Sequence, residues 1–471
     1  MIKSFFPILC VLFWHNSPLK MVSSNPRQIA FNALRDVHKG AYTDVALDRS
    51  LQKINLPDRD RRLVTELVYG SIRRQRTLDA LIDQLATKKS QQQPPDLRTL
   101  LHLGLYQLRY QERIPASAAV NTTVELAKEN GFAGLTGFVN GLLRQYIRLV
   151  EKTPEPLKLP ENPVERLGIL HSFPDWIIQV WLEQLGFVET EKLCEWMNQT
   201  PTIDLRVNIL RSSIEEVESA FKAAGVLVRR IPSLPQALRL IGNTGPIQNL
   251  PGFREGWWTI QDSSAQLVGH LLDPQPGEVV IDTCAAPGGK TTHIAELMGD
   301  NGRVLAGDRT TSRLRKLQEN ARRLNLQSIQ VFTGDSRNLP QWQNTADRVL
   351  LDAPCSGLGT MHRHADARWR QTPESVQELS LLQTELIAHT STFVKKGGVL
   401  VYATCTLHPA ENEAVISRFL ADYPHWQIEP PSPDSPYSIY STPPGWLKVW
   451  PHQQDMDGFF MVRLRKTNDS E

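Results

Sequence analysis

Cysteine is scarce in this chain, and the few cysteines that occur are far apart. The 471 residues include only five, an odd number without the paired spacing of zinc ligands: Cys10, Cys194, Cys284, Cys355 and Cys405. This pattern excludes a disulfide-stapled scaffold and predicts no metal site. Because free thiols persist in a reducing compartment, we expect a cytoplasmic protein.

Long apolar runs and a strong net charge are also missing. The apolar stretch at residues 5–14 is too short to span a bilayer and contains Pro7. Apolar residues at 41% and charged residues at 22% are ordinary globular values, so we expect neither a membrane protein nor a disordered one. We interpret residues 1–20 as an extension outside the fold, with Met21 as a candidate start. The net charge of +2 does not exclude an RNA partner, because RNA binding depends on a local basic face.

Composition shifts along the chain predict three folded parts. In residues 21–150 apolar side chains recur at helical spacing, which predicts an all-α domain. A proline-rich connector at 153–165 leads to a small α+β module at 165–255, where strand and helix patterns alternate. Strands and helices also alternate through residues 256–471, which predicts an α/β domain with a parallel sheet covered by helices on both faces.

Local patterns predict the individual elements. Asp175 is the expected cap of a helix after Pro174, and Thr372 is the expected cap of a helix that has Pro373 at its first position. In the small module, a helix at 213–224 separates two strands, at 204–208 and 226–231. The α/β domain is expected to contain strands at 278–282, 303–308, 329–335, 347–352 and 398–404, with a closing antiparallel pair at 457–464.

A glycine-rich turn joins the first of these five strands to a helix, and it is a candidate ligand cradle. The turn reads Cys284-Ala285-Ala286-Pro287-Gly288-Gly289-Lys290. Gly288 and Gly289 would let the backbone pass close to a bound molecule, and the following helix start would offer unpaired N–H groups. Because the turn lacks G-x-G-x-x-G, an adenosyl cofactor without a pyrophosphate is favoured over a nicotinamide cofactor. A tight turn that binds nothing is the alternative.

Polar side chains follow all five strands at the same predicted edge of the sheet. They are Cys284, Asp308, Asp335, Asp352 with Cys355, and Cys405. Ligands of such sheets bind over the carboxyl ends of the strands, where an acid in the position of Asp308 accepts from a ribose diol. A single acid here is often only a helix cap, and a single cysteine only a small apolar filler. The convergence of all these residues in one crevice is harder to explain by helix capping and core filling alone.

A pair of thiols beside an acid suits methylation of a pyrimidine at C5. That carbon is a poor nucleophile until a thiolate adds to C6, after which C5 takes a methyl group, loses its proton, and the thiolate leaves. A second group near C5 assists the release, and an acid at N3, a role that fits Asp352, stabilises the adduct. Spacing alone does not rank Cys355 against Cys405 for these roles.

Three linked motifs over residues 257–465 resemble the RNA cytosine-5 methyltransferases that use S-adenosylmethionine. They are Asp282-Thr-Cys-Ala-Ala-Pro-Gly-Gly-Lys-Thr291, Asp352-Ala-Pro-Cys-Ser-Gly357 and Ala403-Thr-Cys-Thr406. The resemblance implies that Cys405 is the nucleophile, that Cys355 assists product release, and that the domain is a Rossmann-like methyltransferase. It also implies cofactor contacts from Cys284, Ala285, Ala286, Pro287, Gly288, Gly289, Lys290, Asp308, Asp335 and Asp352.

The first domain narrows the resemblance. Asn25-Pro-Arg-Gln-Ile-Ala-Phe31 and Asn140-Gly-Leu-Leu-Arg144 are similar to the NusB-like domain of the RsmB family, also called Sun or Fmu. The similarity covers about Met21 to the end and implies a monomer that methylates a 16S rRNA cytosine, in naked RNA or in an assembling small subunit. The sequence departs from the family pattern in two places: His362 and Ala365 stand where Arg and Pro are frequent, and Thr406 replaces a common Ser after the implied nucleophile. A tRNA cytosine-5 methyltransferase and a non-catalytic RNA-binding protein with a relic methyltransferase fold are the alternatives.

Arginines are the expected contacts to RNA phosphates. The target base must leave its stack to reach the crevice, which suits a loop, and Trp369 is a candidate stacking partner or a structural residue. The candidate arginines of the helical domain are Arg59, Arg61, Arg62, Arg73, Arg74 and Arg76. Those of the α/β domain are Arg309, Arg313, Arg315, Arg322, Arg323, Arg363, Arg368 and Arg370.

Overall fold

The computed structural model describes residues 25–52, 54–242 and 244–467, which form two compact units. One unit contains the described residues up to Ser71 together with Leu85–Pro154. The other contains Ile72–Gln84 and the described residues from Glu155 onward. The predicted extension at 1–20 lies outside the described residues, as do Cys10 and Met21.

In the described residues up to 152 the regular structure is entirely helical, as the apolar periodicity predicts. They are α1 (Pro26–His38), α2 (Thr43–Gln52), α3 (Asp58–Arg73), α4 (Gln75–Leu85), α5 (Pro95–Tyr110), α6 (Ala116–Glu129) and α7 (Thr136–Lys152). Asn25 caps α1 by accepting a hydrogen bond from the Arg27 N–H, and the buried side of α1 includes Phe31 and Leu34. Residues 72–84, which hold most of α4, belong to the second unit, a discontinuity that the sequence pattern does not predict.

The small module of the second unit is built on an antiparallel sheet. After α8 (Pro163–His171) and α9 (Asp175–Trp196), its elements are β1 (Ile203–Val207), α10 (Ile214–Ala223), β2 (Leu227–Arg230), β3 (Ala237–Ile241) and β4 (Trp258–Ile260). The strands lie in the order β2-β3-β1-β4. Ser213 caps α10 by accepting from the Glu216 N–H. Sequence patterns missed β3 and β4, because strands of five and three residues are too short for alternation to stand out.

The predicted capping role of Asp175 is wrong. Asp175 is the first residue of α9 itself, and the residue before the helix is Pro174. The Asp175 carboxylate instead accepts from the Arg76 guanidinium at 2.6 Å, and the same Nη1 atom donates to the Phe173 carbonyl oxygen. The acid therefore joins α9 to α4 within the second unit.

The α/β domain is organised around a mixed sheet. Its strands are β5 (Val279–Asp282), β6 (Arg303–Asp308), β7 (Ile329–Thr333), β8 (Ala346–Asp352), β9 (Val394–Thr404), β10 (Trp426–Ile428), β11 (Leu447–Val449) and β12 (Phe459–Lys466). They lie in the order β10-β12-β9-β8-β5-β6-β7, with β11 beside β12. The strands β5 to β9 are parallel, as predicted. The predicted antiparallel pair at 457–464 is instead the single strand β12, which pairs antiparallel with β9, β10 and β11.

Helices of the α/β domain connect these strands. They are α11 (Ser263–Leu272), α12 (Gly289–Leu297), α13 (Thr311–Leu324), α14 (Ala367–Arg370), α15 (Pro373–Thr390), α16 (Glu413–Asp422) and α17 (Pro451–Gln454). Thr372 caps α15 by accepting from the Ser375 N–H, as expected. In the described part of the chain, none of the helices combines the length and the apolar character needed to cross a membrane.

A buried ion pair fixes the small module against the α/β domain. The guanidinium of Arg206 on β1 donates to both carboxylate oxygens of Glu296 on α12, at 2.8 and 2.9 Å, and neither side chain is exposed. The same guanidinium donates to the Gly289 carbonyl oxygen at 2.8 Å. Such a pair is costly to break, because either partner alone would remain a buried, uncompensated charge. The start of α12 is thereby held in place.

Candidate active site

The carboxyl ends of β5 to β9 meet around one cavity of about 720 Å³. Parallel strands present these ends at the same sheet edge, which is why residues distant in sequence share the cavity. It is lined by Ala265, Thr283, Cys284, Ala286, Lys290, Asp308, Arg309, Thr310, Arg313, Asp335, Ser336, Arg337, Asp352, Ala353, Pro354, Cys355, Leu382, Leu386, Cys405 and Phe459. The lining therefore includes each of the six acids and cysteines expected at the strand ends.

The glycine-rich turn contributes to the cavity through some of its residues only. Cys284, Ala286 and Lys290 line it, whereas Ala285, Pro287, Gly288 and Gly289 are not among the described lining residues. Gly288 has φ +107°, and a Cβ atom there would lie 2.5 Å from the Leu317 Cγ atom of α13. Gly288 is therefore required by its backbone conformation and by this helix packing, and its close approach to a ligand stays a prediction.

Asp308 and Asp335, which both line the cavity, are held by backbone and side-chain donors. Asp308 Oδ1 accepts from the Thr310 N–H at 2.8 Å, and its Oδ2 atom accepts from the Ala286 N–H at 3.3 Å. Hydrogen bonds from Arg337 lower the pKa of Asp335 to about 2. Both acids thus make the local cap contacts of ordinary turns while they also line the cavity.

A second charged pair lies between the glycine-rich turn and β8. Lys290 Nζ donates to Asp352 Oδ2 at 2.7 Å, and both side chains are largely buried. Burial lowers the pKa of Lys290, but the Asp352 carboxylate outweighs this effect, so the pKa lies above its usual value and the ammonium stays charged. Lys290 Nζ also lies 5.1 Å from the centre of the Phe459 ring. The pair places a cation and a carboxylate inside the cavity.

Cys355 and Cys405 meet beside this pair. Their Sγ atoms are 3.4 Å apart, although the two residues are 50 positions apart in sequence, and both side chains line the cavity. The Gly359 N–H donates to the Cys405 carbonyl oxygen at 2.9 Å, which ties the loop after β8 to the end of β9. The hydrogen bond with Cys405 and then burial raise the pKa of the Cys355 thiol well above its usual range. Cys355 therefore keeps its proton at neutral pH.

Cys284 differs from this pair. Its thiol lines the cavity, but burial and the neighbouring acids raise its pKa, so it stays protonated at neutral pH. Burial also raises the pKa of Asp282 to about 7, and Asp282 Oδ2 accepts from the Thr291 hydroxyl within the turn. Cys284 therefore does not offer an ionised nucleophile at neutral pH. Cys194, the remaining described cysteine, is fully buried in an apolar cluster away from the cavity.

Apolar side chains complete the cavity wall, and the sequence reasoning did not assign them. Leu382 and Leu386 come from α15 and Phe459 from β12. The two leucines are four residues apart on the helix and so share a helix face. The sequence shows this spacing, but leucines that pack in an ordinary core have the same spacing, so it did not identify these two as cavity residues.

Several arginines predicted to meet RNA phosphates are instead held inside the second unit. Arg368 is fully buried and donates to the carbonyl oxygens of Arg73 and Ser172, each at 3.1 Å. Other guanidinium groups are engaged in the same way: Arg323 with the carbonyls of Phe253 and Trp258, Arg363 with the carboxylates of Asp262 and Asp457, and Arg76 with Asp175. The phosphate-binding prediction is wrong for Arg368 and unsupported for the others, because protein groups already occupy their donors.

Two further residues of this region are structural. Trp369 Nε1 donates to the Ile72 carbonyl oxygen at 2.8 Å, which favours the structural interpretation over base stacking. His362 is buried with its ring 4.4 Å from that of Trp196, so it does not offer a phosphate contact.

Other arginines of the predicted phosphate-binding set are exposed: Arg59, Arg61, Arg62, Arg309, Arg313, Arg315 and Arg322. Among the described residues, no group of three or more His, Cys, Asp or Glu side chains is arranged to hold a metal ion.

Comparison with known proteins identifies all three parts of the chain. Residues 269–465 match the family described as 16S rRNA methyltransferase RsmB/F, residues 24–148 match the NusB family, and residues 173–247 match the ferredoxin-like domain of RsmF/B-like methyltransferases. These matches confirm the expected fold class of a helical domain, a small α+β module and a methyltransferase sheet.

Similar proteins cover nearly the whole length. The probable ribosomal RNA small subunit methyltransferase B of Synechocystis sp. is 51% identical over 444 residues, covering 93% of this chain and 99% of that protein. The protein of the same name from Bacillus subtilis is 36% identical, covering 95% and 100%. The crystal structure of PH0851 superposes with a TM-score of 0.78 at 28% identity, covering 94% and 99%. The chain therefore belongs to the ribosomal RNA small subunit methyltransferase B family.

Proposed function

We propose that this methyltransferase transfers the methyl group of S-adenosylmethionine to C5 of a cytosine in 16S rRNA, through a covalent adduct between Cys405 and C6. The observation that carries the proposal is the pair of Sγ atoms 3.4 Å apart beside the Lys290–Asp352 pair in one cavity. Methyl transfer to an oxygen or an exocyclic nitrogen needs no thiol pair, whereas transfer to the poorly nucleophilic C5 needs covalent activation.

The residues of the cavity fit S-adenosylmethionine. The Asp308 carboxylate at the end of β6 suits the two hydroxyl donors of a ribose, and Asp335, which also lines the cavity, would accept from the adenine amine. Leu382 and Leu386 offer apolar surface for the adenine ring. Cys284 and Ala286 from the turn, with Lys290 and Asp352, would hold the amino-acid end. When bound, the cofactor supplies an electrophilic methyl group and leaves as a thioether.

Cys405 and Cys355 divide the covalent steps in this proposal. The Cys405 thiolate bonds to C6, which makes C5 electron-rich enough to form the new carbon–carbon bond. C5 then transfers its proton to the solvent, the electrons of that C–H bond re-form the C5–C6 double bond, and the sulfur–carbon bond breaks so that Cys405 leaves as a thiolate. Cys355, 3.4 Å away, assists this release. The ranking of the two thiols follows the family resemblance, and the raised pKa of Cys355 supports it, because a protonated thiol is a poor nucleophile.

Asp352 and Lys290 stabilise the adduct in this scheme. Electron density moves from the sulfur towards N3 of the ring when C6 is attacked, so a proton held at N3 lowers the energy of the adduct. N3 takes up this proton from the solvent, and the Asp352 carboxylate would accept a hydrogen bond from the resulting N3–H. The Lys290 ammonium, 2.7 Å from Asp352 Oδ2, keeps the carboxylate fixed in the cavity.

The other parts of the chain are assigned to RNA positioning. We propose the boundaries 21–150 for the NusB-like domain, 165–255 for the α+β module and 256–471 for the catalytic domain. Exposed basic side chains near the cavity rim on α13, together with Arg309, would meet phosphates around a cytosine that has left its stack.

A mass-spectrometric assay tests the proposed reaction. The protein is incubated with S-adenosylmethionine and in-vitro-transcribed 16S rRNA, and the digested product is expected to contain 5-methylcytidine at one site. In rRNA that carries 5-fluorocytidine, a covalent protein–RNA complex should persist, because fluorine at C5 cannot leave as a proton. A methyl group on another atom, or no trapped complex, would contradict the mechanism. Preference for tRNA transcripts would favour a tRNA enzyme, and RNA binding without transfer a non-catalytic protein.

Replacing Asp308 tests the cofactor side independently of RNA. Asp308→Asn is expected to weaken S-adenosylmethionine binding about tenfold to a hundredfold, because a carboxylate that accepts from the diol becomes a neutral amide. Calorimetric titration without RNA measures this change. Glu319→Gln on the exposed side of α13 is the matched control and should bind normally. Unchanged affinity in Asp308→Asn would reject the diol contact.

A further inference from the structure

Each thiol of the pair is followed in sequence by a buried hydroxyl residue. Ser356 follows Cys355 and Thr406 follows Cys405, and both hydroxyl side chains are excluded from solvent. Their oxygen atoms, Ser356 Oγ and Thr406 Oγ1, are 2.8 Å apart. The residues that follow the two cysteines are therefore also in contact with each other, through their hydroxyl oxygens.

A single buried carboxylate, that of Glu411, joins these two hydroxyl residues. Glu411 lies at the end of the 3₁₀ turn Pro409–Glu411 and is fully buried. Its Oε1 atom accepts from the Ser356 N–H at 2.9 Å, and its Oε2 atom accepts from the Ser356 hydroxyl and from the Thr406 hydroxyl, the latter at 3.3 Å. The Tyr402 hydroxyl donates to the Glu411 carbonyl oxygen at 2.6 Å, which fixes the backbone of the turn.

Two amide side chains extend this network to the other side of each cysteine. Gln383 on α15 donates to Glu411 Oε1 at 3.0 Å and to the Pro354 carbonyl oxygen at 2.9 Å. Asn412 donates to the Thr406 carbonyl oxygen at 3.0 Å and accepts from the Thr404 hydroxyl at 2.6 Å. The residues before and after Cys355, and those before and after Cys405, are thus held by neighbouring hydrogen bonds.

Glu411 does not itself reach the reacting atoms, since it is not among the described residues that line the cavity. An acceptor-only carboxylate is suited to its environment, because the Ser356 N–H, two hydroxyls and the Gln383 amide can all donate to it. A buried carboxylate without such partners would be strongly destabilising. The position of Glu411 therefore depends on the segments that contain Cys355 and Cys405, and the positions of these segments depend on Glu411.

We propose that Glu411 is a positioning residue that keeps the Sγ atoms of Cys355 and Cys405 adjacent, so that adduct formation and release act on the same base. This inference rests on the proposed covalent mechanism. Cys405 alone suffices to form the adduct, whereas release needs the second thiol at the same carbon pair. Loosening the link should therefore slow release more than attack, and a displacement of about 1 Å costs on the order of a hundredfold in rate.

Variants of Thr406 separate the hydroxyl from the shape of the side chain. Thr406→Val removes the hydroxyl and keeps the volume, and multiple-turnover methylation of 16S rRNA is expected to fall about tenfold or more. Adduct formation on 5-fluorocytidine rRNA should fall much less, and adduct should become detectable on ordinary rRNA during turnover. Thr406→Ser, which restores the hydroxyl, should return both rates to near wild type. Glu411→Gln should resemble Thr406→Val, and Glu413→Gln, two residues away and paired with Lys448, is the matched control.

The outcomes distinguish failure of this inference from failure of the mechanism. Release and attack that remain equal to wild type in Thr406→Val and Glu411→Gln would overturn the inference. Equal loss of both rates that Thr406→Ser does not restore would also overturn it, because general misfolding would then explain the loss; thermal unfolding and S-adenosylmethionine binding are measured alongside. Methyl transfer by Cys405→Ala in the same assay would instead refute the role of Cys405 as nucleophile, on which the inference rests.

Discussion

Cys405→Ala is expected to lower the rate of methyl transfer to 16S rRNA by at least about a thousandfold, as loss of a covalent nucleophile does in other enzymes. The substitution removes the only atom proposed to bond C6, so C5 would remain a poor nucleophile even with cofactor and RNA in place. Filter binding should show nearly unchanged affinity for RNA, because the side chain contributes little surface. Transfer is measured with radiolabelled S-adenosylmethionine in single-turnover reactions, and no covalent complex should form with 5-fluorocytidine rRNA.

A matched control separates this chemical effect from damage to the fold. Cys194→Ala removes another thiol, which is fully buried in an apolar cluster away from the cavity. Its transfer rate should stay close to that of the wild type, although its unfolding temperature is expected to fall. Substantial transfer by Cys405→Ala, with the methyl group still on C5, would show that Cys405 is not the nucleophile.

Cys355→Ala is expected to trap the enzyme on its substrate. Adduct formation through Cys405 should continue, but release should slow at least about a hundredfold, because the thiol 3.4 Å from the nucleophile is gone. A protein–RNA complex should therefore accumulate on ordinary rRNA without any fluorinated base, and turnover should stop after about one equivalent. Denaturing gel electrophoresis detects the complex.

The double variant identifies the sulfur that carries the RNA. Cys355→Ala with Cys405→Ala should form no complex, whereas peptide mapping of the single variant should place the RNA on Cys405. A complex that instead forms in Cys405→Ala, with the RNA attached to Cys355, would reverse the assignment of the two thiols. Wild-type release kinetics in Cys355→Ala would remove the second thiol from the mechanism.

The helical first domain, the parallel strands and the residues at their ends could be predicted from sequence. Apolar periodicity is a local property, so it indicates helices and strands without knowledge of packing. Because parallel strands converge at their carboxyl ends, Cys284, Asp308, Asp335, Asp352 and Cys405 could be assigned to one cavity before any distance was known. The short strands β3 and β4 could not, since their few residues carry too little pattern.

Other features depend on contacts between residues far apart in sequence. The sequence does not show whether an arginine is exposed or buried. Arg368 is held in the interior by the carbonyl oxygen of Arg73, which is 295 positions away in the chain. The sequence places Gly288 in a predicted ligand-binding turn, and only the structure shows that a Cβ atom there would clash with Leu317 on α13. No spacing rule places Glu411 between Ser356 and Thr406, because that contact exists only after β8 and β9 have paired.

Local sequence patterns were thus enough to predict which chemical groups reach the sheet edge, because the positions where strands end are encoded locally. How those groups meet depends on the folded chain: the 3.4 Å between the sulfur atoms, the Lys290–Asp352 pair and the buried carboxylate behind them. The physical reason is that hydrogen bonds and ion pairs act over a few ångströms. They are therefore set by how separate strands and loops pack, which a linear pattern does not record.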